Sequence, residues 1–242
     1  MRQTGEIVAC RQRGGKANSA RKAASLIATS VTRIRRAGHE GEIVVGADSV
    51  FHNSKITKRC AKLGVGYSIT ARKTKIVAEL IETIPEHAWR SIEYRGGIAQ
   101  VAECYHGPET GQRLIVRRVK NHDKHDPQRR LFDIWVYHAF VTDKTGEALD
   151  LDAEHRRRAA QELVIRDLKD NALAHMPSGS FNANSAWLIL GCLAHNIVRW
   201  TAKIGLGSEG LIAAQTIRRK LLVIPGRIVK SARRITLRMP AN

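Results

Sequence analysis

Apolar positions in the first third of the chain alternate between a strand-like and a helix-like rhythm. Residues 6–10 are a short β-rich run before the turn-like Gly14-Gly15, and Asn18 then opens an Ala/Arg-rich helix to about Arg36 that Gly38 stops. Residues 42–47 have the composition of a buried strand ending at Asp48, residues 54–63 read as a short helix, and residues 66–70 as another strand. This alternation predicts an α/β fold.

From Trp89 to Asp143 the rhythm changes to strands without intervening helices, at residues 99–103, 113–119 and 134–142, which predicts an all-β insertion. Helices then return. Asp152 is placed to cap a helix reaching about Leu173, and Asn182 or Asn184 to cap an apolar helix to about Ala202, assigned to the core. Short basic strands at 221–224, 227–230 and 235–239 surround Pro225-Gly226, as in a hairpin. No internal repeat is present.

A chain of 242 residues, 43% hydrophobic, is large enough to bury a core. Its 41 Lys and Arg against 22 acids give a formal charge of +19 spread along the whole length, which points to a polyanionic partner. The longest apolar run, residues 186–194, is far short of the ~20 residues that span a membrane. The opening Met1-Arg2-Gln3-Thr4-Gly5 carries no export pattern, so the expected location is the cytoplasm. Cys10, Cys60, Cys104 and Cys192 are scattered singly, which argues against a disulfide framework or a structural zinc site. The patch His122-Asp123-Lys124-His125-Asp126 lacks a second ligand cluster and reads as a solvated loop. The G-x-G-x-x-G spelled by Gly205, Gly207 and Gly210 follows a helix, not a strand, and reads as a loop too.

The stretch from His155 to Lys169 carries the chemistry. On one continuous helix, His155, Arg158, Glu162 and Lys169 fall within an arc of about 60°. An acid flanked by three phosphate-binding groups suits a metal-bound phosphodiester. A solvated helix with i,i+4 ion pairs, such as Arg158 with Glu162, is the other reading of the same spacing. Asp48, alone after its strand, reads equally as a turn or cap residue.

The spacing of these four residues resembles the YREK signature of bacterial insertion-sequence DDE transposases, with His155 in the Tyr place. The resemblance runs on through Ile165-Arg166-Asp167-Leu168-Lys169, Pro177-Ser178-Gly179 and Leu193-Ala194-His195-Asn196, and upstream through Gly46-Ala47-Asp48-Ser49-Val50-Phe51. It covers nearly the whole chain. Gly46 and Val50 stand where the family's motif usually has Arg and Gly.

The resemblance implies an incomplete ribonuclease H-like domain, a mixed sheet flanked by helices, with a β-strand insertion between the second catalytic Asp and the Glu. The implied division is 1–88 for the partial core, 89–150 for the insertion, 151–204 for the C-terminal helices of the core and 205–242 for a basic C-terminal region. Asp48 and Glu162 are the implied catalytic residues and ligands of two Mg²⁺ ions, and His155, Arg158 and Lys169 the implied phosphate-binding groups. The two carboxylates are expected within about 8 Å of each other. Trp89 and Trp135 are candidates to stack an extruded base, beside a core-packing reading of each. The implied activity is metal-dependent cleavage and strand transfer of double-stranded DNA, by a homodimer in a synaptic complex. The strand with the first catalytic Asp is expected outside these 242 residues, which leaves the strand before Asp48 with an unpaired edge and the chain inactive alone. Beside this stand a non-catalytic DNA-binding remnant or regulator of transposition, and an RNA-binding protein, against which counts the lack of an RNP-type or GXXG motif.

Overall fold

The computed structural model describes residues 4–18, 20–95, 97–105, 112–120, 134–208, 210–223 and 225–239, without the side chains of residues 159 and 160. The patch from His122 to Asp126 lies outside the described residues. The chain forms two compact units, Arg13–Arg158 and a second that joins the residues up to Gln12 with those from Ala159 onward.

The unit Arg13–Arg158 is built on α1 (Ala23–Arg36), β1 (Val44–Ala47), α2 (Ser54–Lys62), β2 (Gly66–Thr70), α3 (Lys75–Glu82), β3 (Arg90–Ile92), β4 (Ala99–Tyr105), β5 (Arg113–Lys120), β6 (Trp135–Thr142) and α4 (Ala148–Arg156). Its sheet runs β1-β2-β6-β5-β4-β3, with β1 and β2 parallel and every other pair antiparallel. The strands from the tract read as all-β therefore hydrogen-bond into the same sheet as β1 and β2. The strand that ends before Asp48 forms one edge of it, paired only with β2 among the described residues.

Alternation along the central strands builds two cores. Ala102, Leu114, Val116, Val141, Tyr67 and Ile69 pack with Val31, Ile56, Cys60 and Val77 of α1–α3, while Val101, Ile115 and Phe140 pack with Ala148 and Leu151 of α4 on the other face. Helix α3 did not announce itself in the sequence. Its Thr74 side chain accepts from Val77 N at 3.3 Å, and Val77 is buried.

Asp152 does not cap a helix as the sequence suggested. It lies inside α4 with only 1% of its surface exposed, one oxygen accepting from Arg117 (2.7 Å) and the other from Arg156 (2.8 Å). A carboxylate this deep needs such partners, and two guanidinium groups supply them.

The second unit holds α5 (Ala160–Asp170), α6 (Phe181–Trp200) with a π-helical turn Thr201–Gly205, α7 (Ala214–Leu221) and a hairpin of β7 (Arg227–Ser231) and β8 (Arg234–Arg238). The expected single helix from 152 is thus α4, a 3₁₀ turn Arg157–Ala159 and α5. Ser180, not an asparagine, caps α6, accepting from Ala183 N at 3.5 Å. The helix expected in the core buries a largely polar stripe, Asn184, Gly191, Cys192, His195 and Arg199, and leaves Leu190, Leu193 and Ile197 about half exposed. Residues 221–224 form no strand among the described residues, because α7 runs through Leu221.

Residues 6–10 form no strand either. They lie along α6, held by its polar side chains. Asn196 accepts from Ile7 N at 2.8 Å and donates to Ile7 O at 2.9 Å, as a neighbouring strand would. Arg199 donates to Thr4 O (3.4 Å) and Trp200 Nε1 to Glu6 (2.6 Å). His195 Nε2 lies 3.0 Å from Gly5 O, and its Nδ1 lies 3.3 Å from Asp167.

Candidate functional site

Strand β1 ends at Ala47 and delivers Asp48 to the edge where parallel β1 and β2 both finish. One Asp48 oxygen accepts from Ser49 N at 2.6 Å and caps the 3₁₀ turn Ser49–Phe51. Asp48 itself is exposed. Arg72, just past β2, braces the turn by donating to Val50 O (3.3 Å), while its own N–H donates to His52 Nδ1 (3.0 Å).

Arg158 reaches the same edge from the 3₁₀ turn after α4. Its Nη1 donates to Thr70 Oγ1 (3.3 Å) and Ser68 O (3.5 Å). Its Cδ crosses Gly46, where a Cβ would sit 3.0 Å away. Burial lowers the Arg158 pKa and nearby Asp48 opposes the shift, but a guanidinium remains charged. The Arg158 Nε is buried without a hydrogen-bond partner among the described residues.

His155, one helical turn before Arg158, stacks on Phe140 with ring centroids 4.0 Å apart. Its Nδ1 lies 2.6 Å from Ser68 Oγ and its Nε2 3.2 Å from Arg158 Nη1. A guanidinium only donates, so Nε2 accepts and the ring proton sits on Nδ1, donating to Ser68. Burial, then Arg158 and Arg117, push this imidazole down to about 3. The ring that the resemblance casts as a phosphate donor is neutral, and both its nitrogens are engaged within the protein.

Glu162 lies in the first turn of α5 and Lys169 in its last, both exposed. They belong to the second unit, whereas Asp48, His155 and Arg158 belong to the first. Within one unit the structure therefore joins Asp48, Arg158 and His155. The single helix on which the four-position arc was calculated is interrupted by the 3₁₀ turn Arg157–Ala159. Sequence reasoning missed Ser68 and Thr70. Their signal was two hydroxyl residues at period 2 in a strand whose alternate positions, Tyr67 and Ile69, are buried.

Asp48 and Glu162 offer the hard carboxylate oxygens that divalent cations such as Mg²⁺ take. They fit in donor type but not in number: among the described residues no three His, Cys, Asp or Glu side chains group to hold a metal ion. The two candidate stacking aromatics are turned to another use. Trp89 and Trp135 lie 4.3 and 4.5 Å from the guanidinium of Arg118, which is held in turn by Glu86 and by Gln100 at 2.7 Å. Trp89 is buried, in agreement with the packing reading.

No helix among the described residues is long and apolar enough to cross a membrane. A search of curated proteins found no match to the chain. A family model does match, over residues 2–242, and with that span the chain belongs to the family described as transposase DDE domain, group 1.

Proposed function

We propose that this chain is the catalytic portion of a bacterial insertion-sequence transposase with a YREK-type signature, acting on double-stranded DNA at transposon ends and target. The family acts on DNA and generally uses divalent metal. The observation that carries the reading is the exposed carboxylate of Asp48 near the half-buried guanidinium of Arg158, where the parallel strands β1 and β2 end.

On this reading Asp48 and Glu162 are the catalytic carboxylates and the Mg²⁺ ligands. Bound Mg²⁺ would polarise the phosphodiester and help ionise the attacking hydroxyl. Arg158 and Lys169 hold phosphate oxygens, and His155 serves the site by accepting from Arg158 and fixing its guanidinium. Residues 1–88 and 151–204 make the ribonuclease H-like core, 89–150 its insertion and 205–242 a basic DNA-binding tail. The working form is a homodimer in a synaptic complex in the cytoplasm. Two carboxylates under-coordinate a metal pair, so the chain alone binds DNA without cleaving it.

Mn²⁺ binding followed by electron paramagnetic resonance, with duplex DNA present, tests this without relying on activity. Asp48→Ala and Glu162→Ala are each expected to weaken binding by at least the roughly 10–100-fold seen when support around a metal is removed. Unchanged Mn²⁺ affinity in Glu162→Ala would overturn the site. Mg²⁺-dependent nicking by the unaltered chain would overturn the claim of inactivity.

A further inference from the structure

The β7–β8 hairpin sorts its side chains by face. In its register Arg227 lies opposite Arg238, Val229 opposite Thr236 and Ser231 opposite Arg234, so these six share one face. Ile228, Lys230, Ile235 and Leu237 take the other. The first face thus carries three arginines and no acid, and the stretch from Pro225 to Met239 contains no Asp or Glu at all. All three arginines are exposed, and among the described residues none is ion-paired. Arg227 and Arg238 sit directly across from each other, an arrangement in which like charges destabilise a ribbon. An isolated two-stranded hairpin is marginal in water even without that repulsion. A polyanion laid on this face would remove the repulsion and brace the hairpin.

We propose that this arginine face is a β-ribbon contact for the major groove of duplex DNA. Four residues separate Arg234 from Arg238, about 14 Å along an extended strand. The B-form major groove is about 12 Å wide and admits a two-stranded ribbon. A ribbon lying across it puts the Arg227–Arg238 pair at one phosphate wall and Arg234 at the other, with Val229 and Thr236 over the base edges. The deep, narrow major groove of A-form RNA does not admit such a ribbon. The contacts are mainly to phosphate, so binding tolerates many sequences. This inference rests on the DNA-directed reading above, and adds to it a contact remote in sequence from Asp48 and Arg158.

The test is anisotropy titration of a short labelled duplex by the full chain, at salt concentrations from about 50 to 200 mM. Three proteins are compared: the unaltered chain, the triple variant Arg227→Gln, Arg234→Gln, Arg238→Gln, and the equally charged control Lys55→Gln, Lys58→Gln, Lys62→Gln on the exposed face of α2. The ribbon variant is expected to lower the slope of log affinity against log salt by about 2.7, the value for three lost phosphate contacts. It should weaken binding at low salt at least ten-fold more than the control. Removing like charges should not unfold the hairpin, and circular dichroism checks this. Equal losses in the two variants would overturn the ribbon contact while leaving the DNA-directed reading standing. No duplex binding by the unaltered chain would overturn both.

Discussion

Burial, together with Arg158 and Arg117, pushes the His155 imidazole down to about 3 from an ordinary value of 6.5. Between those two values the unfolded chain binds a proton that the folded chain refuses. Stability is therefore full above about pH 6.5 and is lost as pH falls toward 3, by at most about 1.4 kcal/mol per pH unit from this ring. In urea unfolding at pH 7 and pH 5, the unaltered protein is expected to lose more stability than His155→Gln. Equal losses would mean the ring is not held neutral. Gly46 shows how far one residue can be read from sequence. It stands where the family's motif usually has Arg. In the fold, the absent side chain makes room for Arg158 to cross β1. Residue type was legible, but the exchange between strand and helix was not, because it depends on a contact 112 positions apart, from 46 to 158.

At the scale of elements, strands and helices with strong periodicity were legible: α2, β2, β5 and β6 lie within two residues of their expected bounds. Helix α3 was missed because its apolar positions, Ile76, Val77, Leu80 and Ile81, fill only two turns next to a strand. The break after α4 was missed because Arg156, Arg157 and Arg158 all favour helix, and nothing local marks the tightening. The run at 6–10 has a strand's composition but forms no strand among the described residues, and a single asparagine supplies the paired hydrogen bonds at Ile7. Asn196→Ala is expected to strip this segment from α6. Leaving a backbone amide unpaired costs about 1–3 kcal/mol, so hydrogen-exchange protection of residues 5–10 should fall roughly ten-fold. Unaltered protection would show that Asn196 is not the clamp.

For the molecule as a whole, the chain crosses between its two units twice, at Gln12 and at Arg158. Neither crossing was legible, because one falls within an apparent helix and the other before an unremarkable Gly-Gly turn. Arg13 and Lys16 are exposed at the first crossing. Limited trypsin digestion is expected to cut there early, yet the released N-terminal peptide should remain bound to the rest through the contacts of Gly5 and Ile7. Size-exclusion chromatography with mass spectrometry reads this, and loss of the peptide before denaturation would refute it.

The clamp at Ile7 also sets an order of events during synthesis. Asn196 is made 189 residues after Ile7, from 7 to 196, which at cellular rates takes roughly 10–40 s. The unit from Arg13 to Arg158 can complete its sheet within that interval, while Ile7, Val8 and Cys10 wait for α6. The ribosome therefore exposes the first apolar segment longest, and α6, made late in synthesis, is the helix that shelters it.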